Sequence, residues 1–121
     1  MVKKGIGMKF GKRHYRAQVD TRDCGVAALA MILEYYRSHH SLASLREMAK
    51  TTMEGTTAFG LVKVAEELGF ETRAIKADMS LFSLREAVYP FIAHVVKDGT
   101  LLHYYVVIGA DKKYIYIADP D

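Results

Sequence analysis

A single cysteine, Cys24, stands immediately before an apolar stretch with helical spacing, in the segment Gln18-Val19-Asp20-Thr21-Arg22-Asp23-Cys24-Gly25. The start of a helix carries partial positive charge, which favours the thiolate, and the thiolate is the nucleophilic form of cysteine. One cysteine cannot form an intrachain disulfide or a multi-cysteine metal site. Cys24 is therefore either a packing residue, as buried free cysteines usually are, or a reactive thiol.

A cysteine nucleophile needs a base that takes its proton, and the chain offers five histidines: His14, His39, His40, His94 and His103. The first lies in a basic N-terminal segment, and the adjacent pair follows the first predicted helix at its far end. At about 1.5 Å of rise per residue, that helix places the pair more than about 20 Å from Cys24. His94 and His103, both in predicted strands, remain as candidates.

The register of the predicted hairpin bears on these two histidines. Asp98-Gly99 is a strong hairpin turn signal, and a two-residue turn there places His94 and His103 opposite each other on one face. A three-residue loop would shift this register by one position. For His94 we favour a hydrogen-bonded sheet histidine over a catalytic group.

The candidate acid for His103 is Asp119. A three-residue turn at Asp111–Lys113 pairs Tyr105 with Asp119 and leaves His103 diagonally across from the carboxylate, within reach of an aromatic side chain. An Asp–His hydrogen bond would fix the tautomer of the imidazole. Asp-Pro-Asp is also ordinary turn chemistry, and Asp121 is a weaker alternative acid.

Donors for a developing oxyanion are also available near the thiol. The backbone N–H of Cys24 is one, because the first N–H groups of a helix have no partner within it. The side chain of Gln18, six residues upstream, is a second candidate, although a surface glutamine is more often only solvated. We interpret Asp20 and Asp23 as capping or turn residues, with Asp23 as the N-cap of the helix that follows.

Helices come first among the elements that must position these groups. Helical periodicity and capping residues predict Cys24 to about Arg37, Leu42–Lys50 capped by Ser41, and a third helix that Thr57 begins and Gly69 ends. Alternation and β-branched residues then predict strands at Glu71–Ala77, Phe91–Val96, Leu101–Ile108 and Tyr114–Ala118, with a short helix at Ser80–Ala87. This order predicts an α+β domain with the Cys24 helix packed on an antiparallel sheet.

The chain has 121 residues, half of them hydrophobic, which suits one domain with a real core. Its net charge of +3 owes much to a basic arm at residues 1–16, of which 1–7 are a possible extension before Met8. Such an arm can contact nucleic acid or an anionic membrane surface, but we favour a solvated tail and expect no nucleic acid partner. No apolar run is long enough to predict a membrane span, and no signal peptide is evident. The single cysteine suits a reducing, intracellular setting.

Four segments resemble, in order and spacing, the motifs of the C39 peptidases: Gln18–Met31, Thr51–Leu61, Leu102–Val107 and Ala118–Pro120. The resemblance covers nearly all of residues 8–121 and implies a papain-like cysteine protease fold for a domain at 17–121. It implies the roles of nucleophile for Cys24, general base for His103, orienting acid for Asp119 and oxyanion donor for Gln18.

C39 domains stand at the N-terminus of bacterial ABC transporters that export bacteriocins and quorum-sensing peptides, and the chain looks closest to the competence-pheromone exporters. The resemblance implies cleavage of a precursor peptide after a double-glycine leader, at the cytoplasmic face of the cell membrane. The partners it implies are that precursor and the transmembrane and nucleotide-binding parts of the same transporter.

The family domain usually continues past the Asp-Pro motif, so we expect the chain to be C-terminally truncated. No glycine-rich phosphate loop is present, so we expect no cofactor here, with ATP bound only by the absent nucleotide-binding domain. Two other readings stay open: a non-catalytic docking domain for leader peptides, and another papain-like thiol enzyme such as an acyltransferase or amidase.

By resemblance, the leader binds as an amphipathic helix, and a double glycine suits a cleft too narrow for any Cβ. Candidates for the apolar docking surface are Met31, Tyr35, Tyr36, Leu42, Leu45, Met48, Met53, Phe59 and Leu61. For any one of these residues, plain core packing is the favoured interpretation.

Overall fold

The structure, a computed structural model, describes residues 10–78, 88–97 and 101–121. Three helices precede three strands in these ranges: α1 Cys24–Tyr35, α2 Leu42–Ala49, α3 Ala58–Glu67, β1 Phe91–Lys97, β2 Leu101–Ala110 and β3 Ile115–Ala118. The strands form an antiparallel sheet in the order β1-β2-β3. The predicted α+β class, with helices packed on an antiparallel sheet, is confirmed.

Helix α1 is the centre of the molecule. Its residues from Cys24 through Met31 are all buried, so the helix is covered on every side, as its apolar sequence requires. Leu45 of α2, Val64 of α3 and Val106 of β2 join the same core. The helix that begins at the cysteine is therefore held from three directions, which fixes the position of its first residue.

The predicted capping residues of two of the three helices, α2 and α3, are confirmed. The side chains of Ser41 and Thr57 each accept a hydrogen bond from the backbone of the helix that they begin, and Gly69 follows α3 with a φ of +93°. Asp23 occupies the N-cap position of α1, as predicted, but its side chain makes no capping hydrogen bond to α1. A 3-10 turn at Thr21–Asp23 leads into the helix.

The register of β1 and β2 corrects the predicted hairpin. His94 lies opposite Tyr104, and Val95 lies opposite His103. The predicted pairing of His94 with His103 is therefore wrong by one position, and since side chains alternate, the two histidines lie on opposite faces of the sheet. The predicted turn at Asp98-Gly99 lies outside the described residues.

The pairing of β2 with β3 agrees with the prediction near the site. Val106 lies opposite Ala118, so Tyr105 faces Asp119 if the same register continues for one more residue. A register shift between Val107 and Gly109 bends the other end of the pair.

Two predicted elements between α3 and β1 are not confirmed. The strand predicted at Glu71–Ala77 is wrong, because residues 71–78 pair with no strand in the described part of the chain. Alternation supplies β propensity, but a strand also needs a neighbouring backbone for its N–H and C=O groups. The helix predicted at Ser80–Ala87 falls outside the described residues.

In the described ranges, no helix has both the length and the apolar character needed to cross a bilayer.

Candidate active site

His103 and Asp119 form the first part of the site. The imidazole Nε2 lies 2.7 Å from Asp119 Oδ1, and His103 is 4% exposed although it is a polar residue. In the register described above, His103 on β2 and Asp119 directly after β3 are diagonal neighbours, which brings their side chains together. The predicted Asp–His contact is present in the structure.

Asp119 is itself held from two further directions. Its Oδ1 accepts a 2.9 Å hydrogen bond from the backbone N–H of Asp121, and its backbone carbonyl accepts a 2.7 Å bond from the hydroxyl of Tyr15. These bonds fix both the backbone and the carboxylate of Asp119, so the carboxylate holds the His103 ring in one orientation.

Gln18 lies beside the same turn. Its backbone N–H donates a 2.8 Å hydrogen bond to the carbonyl oxygen of Pro120, next to Asp119. The Gln18 Oε1 atom is buried and has no hydrogen-bond partner among the described residues. Buried polar atoms without partners are uncommon in folded proteins and are often found where function needs them. The glutamine predicted to serve the site is therefore tied to the segment that carries the acid.

Cys24 is the first residue of α1 and a free thiol with 8% of its surface exposed. Its neighbour Gly25 lies against the ring of Tyr104, because a Cβ added at Gly25 would come within 3.1 Å of a carbon of that ring. Tyr104 directly follows His103 on β2. The Gly25–Tyr104 contact thus joins the helix start that bears the thiol to the strand that bears the imidazole.

Tyr104 is a functional-site residue that the sequence did not single out. Its hydroxyl donates a buried 2.9 Å hydrogen bond to the carbonyl of Thr56, which fixes the ring between α1 and the loop before α3. Burial raises the pKa of Tyr104 to about 12, and its electrostatic interaction with Cys24 contributes to the same shift.

Asp23 and Arg46 are a second pair that the sequence did not connect. Asp23 Oδ1 lies 2.7 Å from Arg46 Nε, and Oδ2 lies 3.2 Å from Arg46 Nη2. Asp20, by contrast, caps the 3-10 turn before the cysteine, as a capping interpretation requires. Asp23 and Arg46 are 23 positions apart in the chain, so no local sequence pattern could have predicted their contact.

The remaining histidines lie elsewhere. His94 stacks on the ring of Tyr104 with ring centroids 3.9 Å apart, while His14 packs between Phe10 and Tyr35. His39 forms an ion pair with Glu34 at the far end of α1. His40 lies beside Ser38 at the same end, as expected from the length of the helix.

The apolar docking candidates divide by burial. Met31, Leu42, Leu45 and Leu61 belong to the core, so the structure excludes them as an exposed docking surface. Met53 and Phe59 are 79% and 72% exposed, and Tyr36 is 48% exposed. Of these, Met53 lies beside the turn that precedes Cys24, because its sulfur is 2.9 Å from Arg22 Nη1. Among the described residues, no three His, Cys, Asp or Glu side chains are grouped to hold a metal ion.

The sequence profile of the peptidase C39 family matches residues 12–121 of the chain. The transport/processing ATP-binding protein ComA of Streptococcus pneumoniae is 72% identical over 114 residues, which are 94% of this chain and 16% of that protein. The chain therefore spans about a sixth of the length of the curated relatives that it matches.

Solved structures give the same result. The crystal structure of the peptidase domain of Streptococcus ComA, described as a bifunctional ABC transporter involved in a quorum-sensing pathway, matches with a TM-score of 0.83 and 54% identity. The match covers 88% of this chain and 77% of that one. A double-glycine-motif protease from an AMS/PCAT transporter, solved with its leader peptide, matches with a TM-score of 0.75 and 30% identity over 86% of this chain and 71% of that one. The chain therefore belongs to the peptidase C39 family of cysteine peptidases.

Proposed function

We propose that the chain is the peptidase domain of an ABC transporter and that it removes double-glycine leaders from precursor peptides. The observation that carries this proposal is the pairing of Asp119 with His103, which lies on the strand that contacts the start of the Cys24 helix. The family, the order of the motifs and the likeness to a double-glycine-motif protease support the choice of substrate.

The proposed mechanism begins with the tautomer of His103. An ionised carboxylate only accepts hydrogen bonds, so the Nε2 atom facing Asp119 carries the ring proton and Nδ1 has a free lone pair. Nδ1 takes the proton of the Cys24 thiol, and the resulting thiolate attacks the carbonyl carbon of the second glycine. Asp119 keeps the ring oriented and stabilises the imidazolium that forms.

The tetrahedral intermediate needs donors for its oxyanion. We assign this role to the backbone N–H of Cys24 and the side-chain amide of Gln18. His103 then gives its proton to the leaving amine, which breaks the peptide bond and leaves the leader as a thioester on Cys24. A water molecule, deprotonated by His103, attacks the thioester, releases the leader as a carboxylic acid and restores the thiol.

We propose that two exposed apolar side chains, Met53 and Phe59, bind the leader. Both are far more exposed than a core residue, and methionine suits surfaces that accept peptides of different sequence. The sulfur of Met53 contacts Arg22, which lies two residues before Cys24, so a peptide bound over Met53 would lead directly to the thiol.

The wider assignment follows from the relatives. ComA of Streptococcus pneumoniae is described as a transport/processing ATP-binding protein. We propose that this chain acts within such a transporter at the cytoplasmic face of the cell membrane. Its partners would be the precursor peptide and the membrane and ATP-binding parts of the same transporter.

Mass spectrometry of a synthetic double-glycine precursor incubated with the chain tests this function. The wild type should release the leader, cut after the second glycine, and the variant Cys24→Ala should release none while still binding the peptide. A precursor with the second glycine changed to alanine is the matched substrate control and should be cut poorly. Binding without cleavage by the wild type would instead indicate a docking domain, and cleavage by Cys24→Ala would exclude the proposed nucleophile.

A further inference from the structure

We propose that Arg46 and Asp23 act as a positioning pair for the peptidase reaction. In this view, Arg46 reaches from α2 to hold the Asp23 carboxylate, and that carboxylate sets the path of the backbone between Gln18 and Cys24. The inference rests on the proposed function, because it concerns the two groups that we propose as oxyanion donors, the backbone N–H of Cys24 and the side-chain amide of Gln18. Neither residue touches substrate in this scheme.

The environment of Asp23 is unusual for a charged residue. Its side chain is completely buried, directly before the nucleophile in the chain. Four hydrogen bonds surround the carboxylate: Arg46 Nε at 2.7 Å and Nη2 at 3.2 Å, and the backbone N–H groups of Val19 and Asp20 at 3.2 Å each. A buried charge is tolerated only when it is paired and hydrogen-bonded in this way.

Arg46 suits this task because its planar guanidinium presents two parallel donors to the two carboxylate oxygens. The hydrogen bond to Asp23 raises the pKa of Arg46. Arg46 lies on α2, which begins 18 residues after Cys24 in the chain. The pair therefore couples the placement of α2 to the turn that precedes α1.

The carboxylate controls the segment that carries Gln18. Its Oδ2 atom accepts from Val19 and Asp20, the two residues after Gln18, while the backbone N–H of Gln18 itself bonds to the carbonyl of Pro120. Three successive N–H groups are thus fixed by named acceptors. The side chain of Gln18 emerges from a backbone that cannot shift unless these bonds break.

The side chain of Asp23 also does not cap α1. Its side chain makes no hydrogen bond to the N–H groups of the first turn of α1. An aspartate at this position would ordinarily accept from that turn, where it contributes to helix stability. Here the carboxylate faces backward, toward Val19 and Asp20, so its contribution is to the shape of the preceding turn.

The variants Arg46→Gln and Arg46→Lys test the pair, with Glu47→Gln as the control on an exposed position of the same helix. Cleavage of a double-glycine precursor is measured as kcat and KM per active thiol, with the active fraction counted by thiol titration. Arg46→Gln should lower kcat roughly 10- to 100-fold, since a small misplacement of catalytic groups has effects of this size, with KM within about twofold of the wild type. Arg46→Lys should be intermediate, because it keeps the charge but loses the second donor, and Glu47→Gln should match the wild type.

A second readout does not depend on cleavage. Amide hydrogen exchange at Val19 and Asp20, followed by NMR, should accelerate in Arg46→Gln and, to a smaller extent, in Arg46→Lys, but not in Glu47→Gln. If the wild type cuts no precursor, the proposed function is contradicted. The exchange rates at Val19 and Asp20 then still test whether Arg46 and Asp23 hold the backbone of this turn. The pair is overturned by unchanged exchange in both Arg46 variants, or by a kcat per thiol equal to that of the wild type. A rise in KM with unchanged kcat would also overturn it, because Arg46 would then act in binding.

Discussion

His103 meets Asp119 through its Nε2 atom, 2.7 Å from Oδ1, so the other ring nitrogen, Nδ1, is the one left to exchange a proton. This choice of nitrogen follows from where β2 and β3 place the two residues, with the Asp119 carboxylate held by the N–H of Asp121 and the Asp119 backbone carbonyl held by the hydroxyl of Tyr15. A neutral imidazole that donates from Nε2 is a base at Nδ1. The orientation of His103 is therefore already set before any substrate binds.

Replacement of Asp119 by asparagine should lower kcat by at least about 100-fold with little change in KM, because the wrong tautomer of His103 would be favoured. Asp121→Asn is the matched control, since Asp121 contributes its backbone N–H to the site and that group is kept. Steady-state cleavage of a double-glycine precursor measures both variants. Equal activity of the two variants would contradict the role assigned to Asp119.

The two strand histidines should behave differently when each is replaced by phenylalanine. His103→Phe should abolish cleavage, because no other base would be available to the thiol. His94→Phe should retain most of the activity, since His94 has no part in the His103–Asp119 pair and stacks on the ring of Tyr104, an interaction that phenylalanine can also make. Loss of activity in both variants, with both folded by circular dichroism, would argue against this division.

Gly25→Ala should destabilise the domain by about 1–3 kcal/mol, the usual cost of forcing extra volume into a packed core. The new Cβ would lie 3.1 Å and 3.2 Å from two ring carbons of Tyr104 and 3.3 Å from Thr56 Cβ. The start of α1 would be pushed away from β2, so kcat should fall as well. Urea unfolding gives the free energy, and Gly11→Ala is the control, because nothing lies within 4 Å of a Cβ at that position.

Acidification should destabilise the fold through His14. Burial, followed by the positive charge of Arg13, lowers the pKa of His14 below its ordinary value of 6.5, with Glu34 opposing the shift. Between the lowered folded pKa and 6.5, the unfolded chain binds more protons, so stability falls as the pH drops through this window and the loss is complete below the folded pKa. Protonation would also remove the acceptor that His14 Nδ1 offers to the N–H of Gly11.

The comparison of the wild type with His14→Gln isolates this effect. Both chains are unfolded in urea at about pH 7.5 and about pH 5.5, and the loss of stability between the two conditions is compared. The loss should be smaller in the variant, which has no imidazole to protonate. An identical loss in both chains would assign the acid sensitivity to other groups.

The parts of the fold that depend on local signals could be predicted from the sequence. Ser41 and Thr57 cap helices because a hydroxyl before a helix satisfies its first N–H groups, and Gly69 ends α3 with the positive φ that glycine adopts easily. The contact of His103 with Asp119 was predicted from a three-residue turn at Asp111–Lys113, which is wrong, because Ala110 pairs with Ile115. The register shift between Val107 and Gly109 restores the predicted pairing beside the site.

The errors all concern non-local contacts. A one-residue difference in the length of the connection between β1 and β2 reverses the faces of the strand, which is why His94 was wrongly placed beside His103. Asp23 looked like a helix cap in sequence, and only the position of α2 shows that Arg46 takes its carboxylate. The alternating residues 71–78 show that a β pattern is not sufficient when no described strand lies beside it.

The central claim is that Cys24 is the nucleophile and that His103 activates it. A leader peptide ending in Gly-Gly-chloromethyl ketone alkylates such a thiol, and chloride leaves as the C–S bond forms, so the stable thioether can be located by the intact mass of the chain and by peptide mapping. We predict one adduct per chain, on Cys24, with formation slowed at least about 100-fold in His103→Ala and none in Cys24→Ala. An adduct on another residue, or equal trapping rates in the wild type and His103→Ala, would contradict the account.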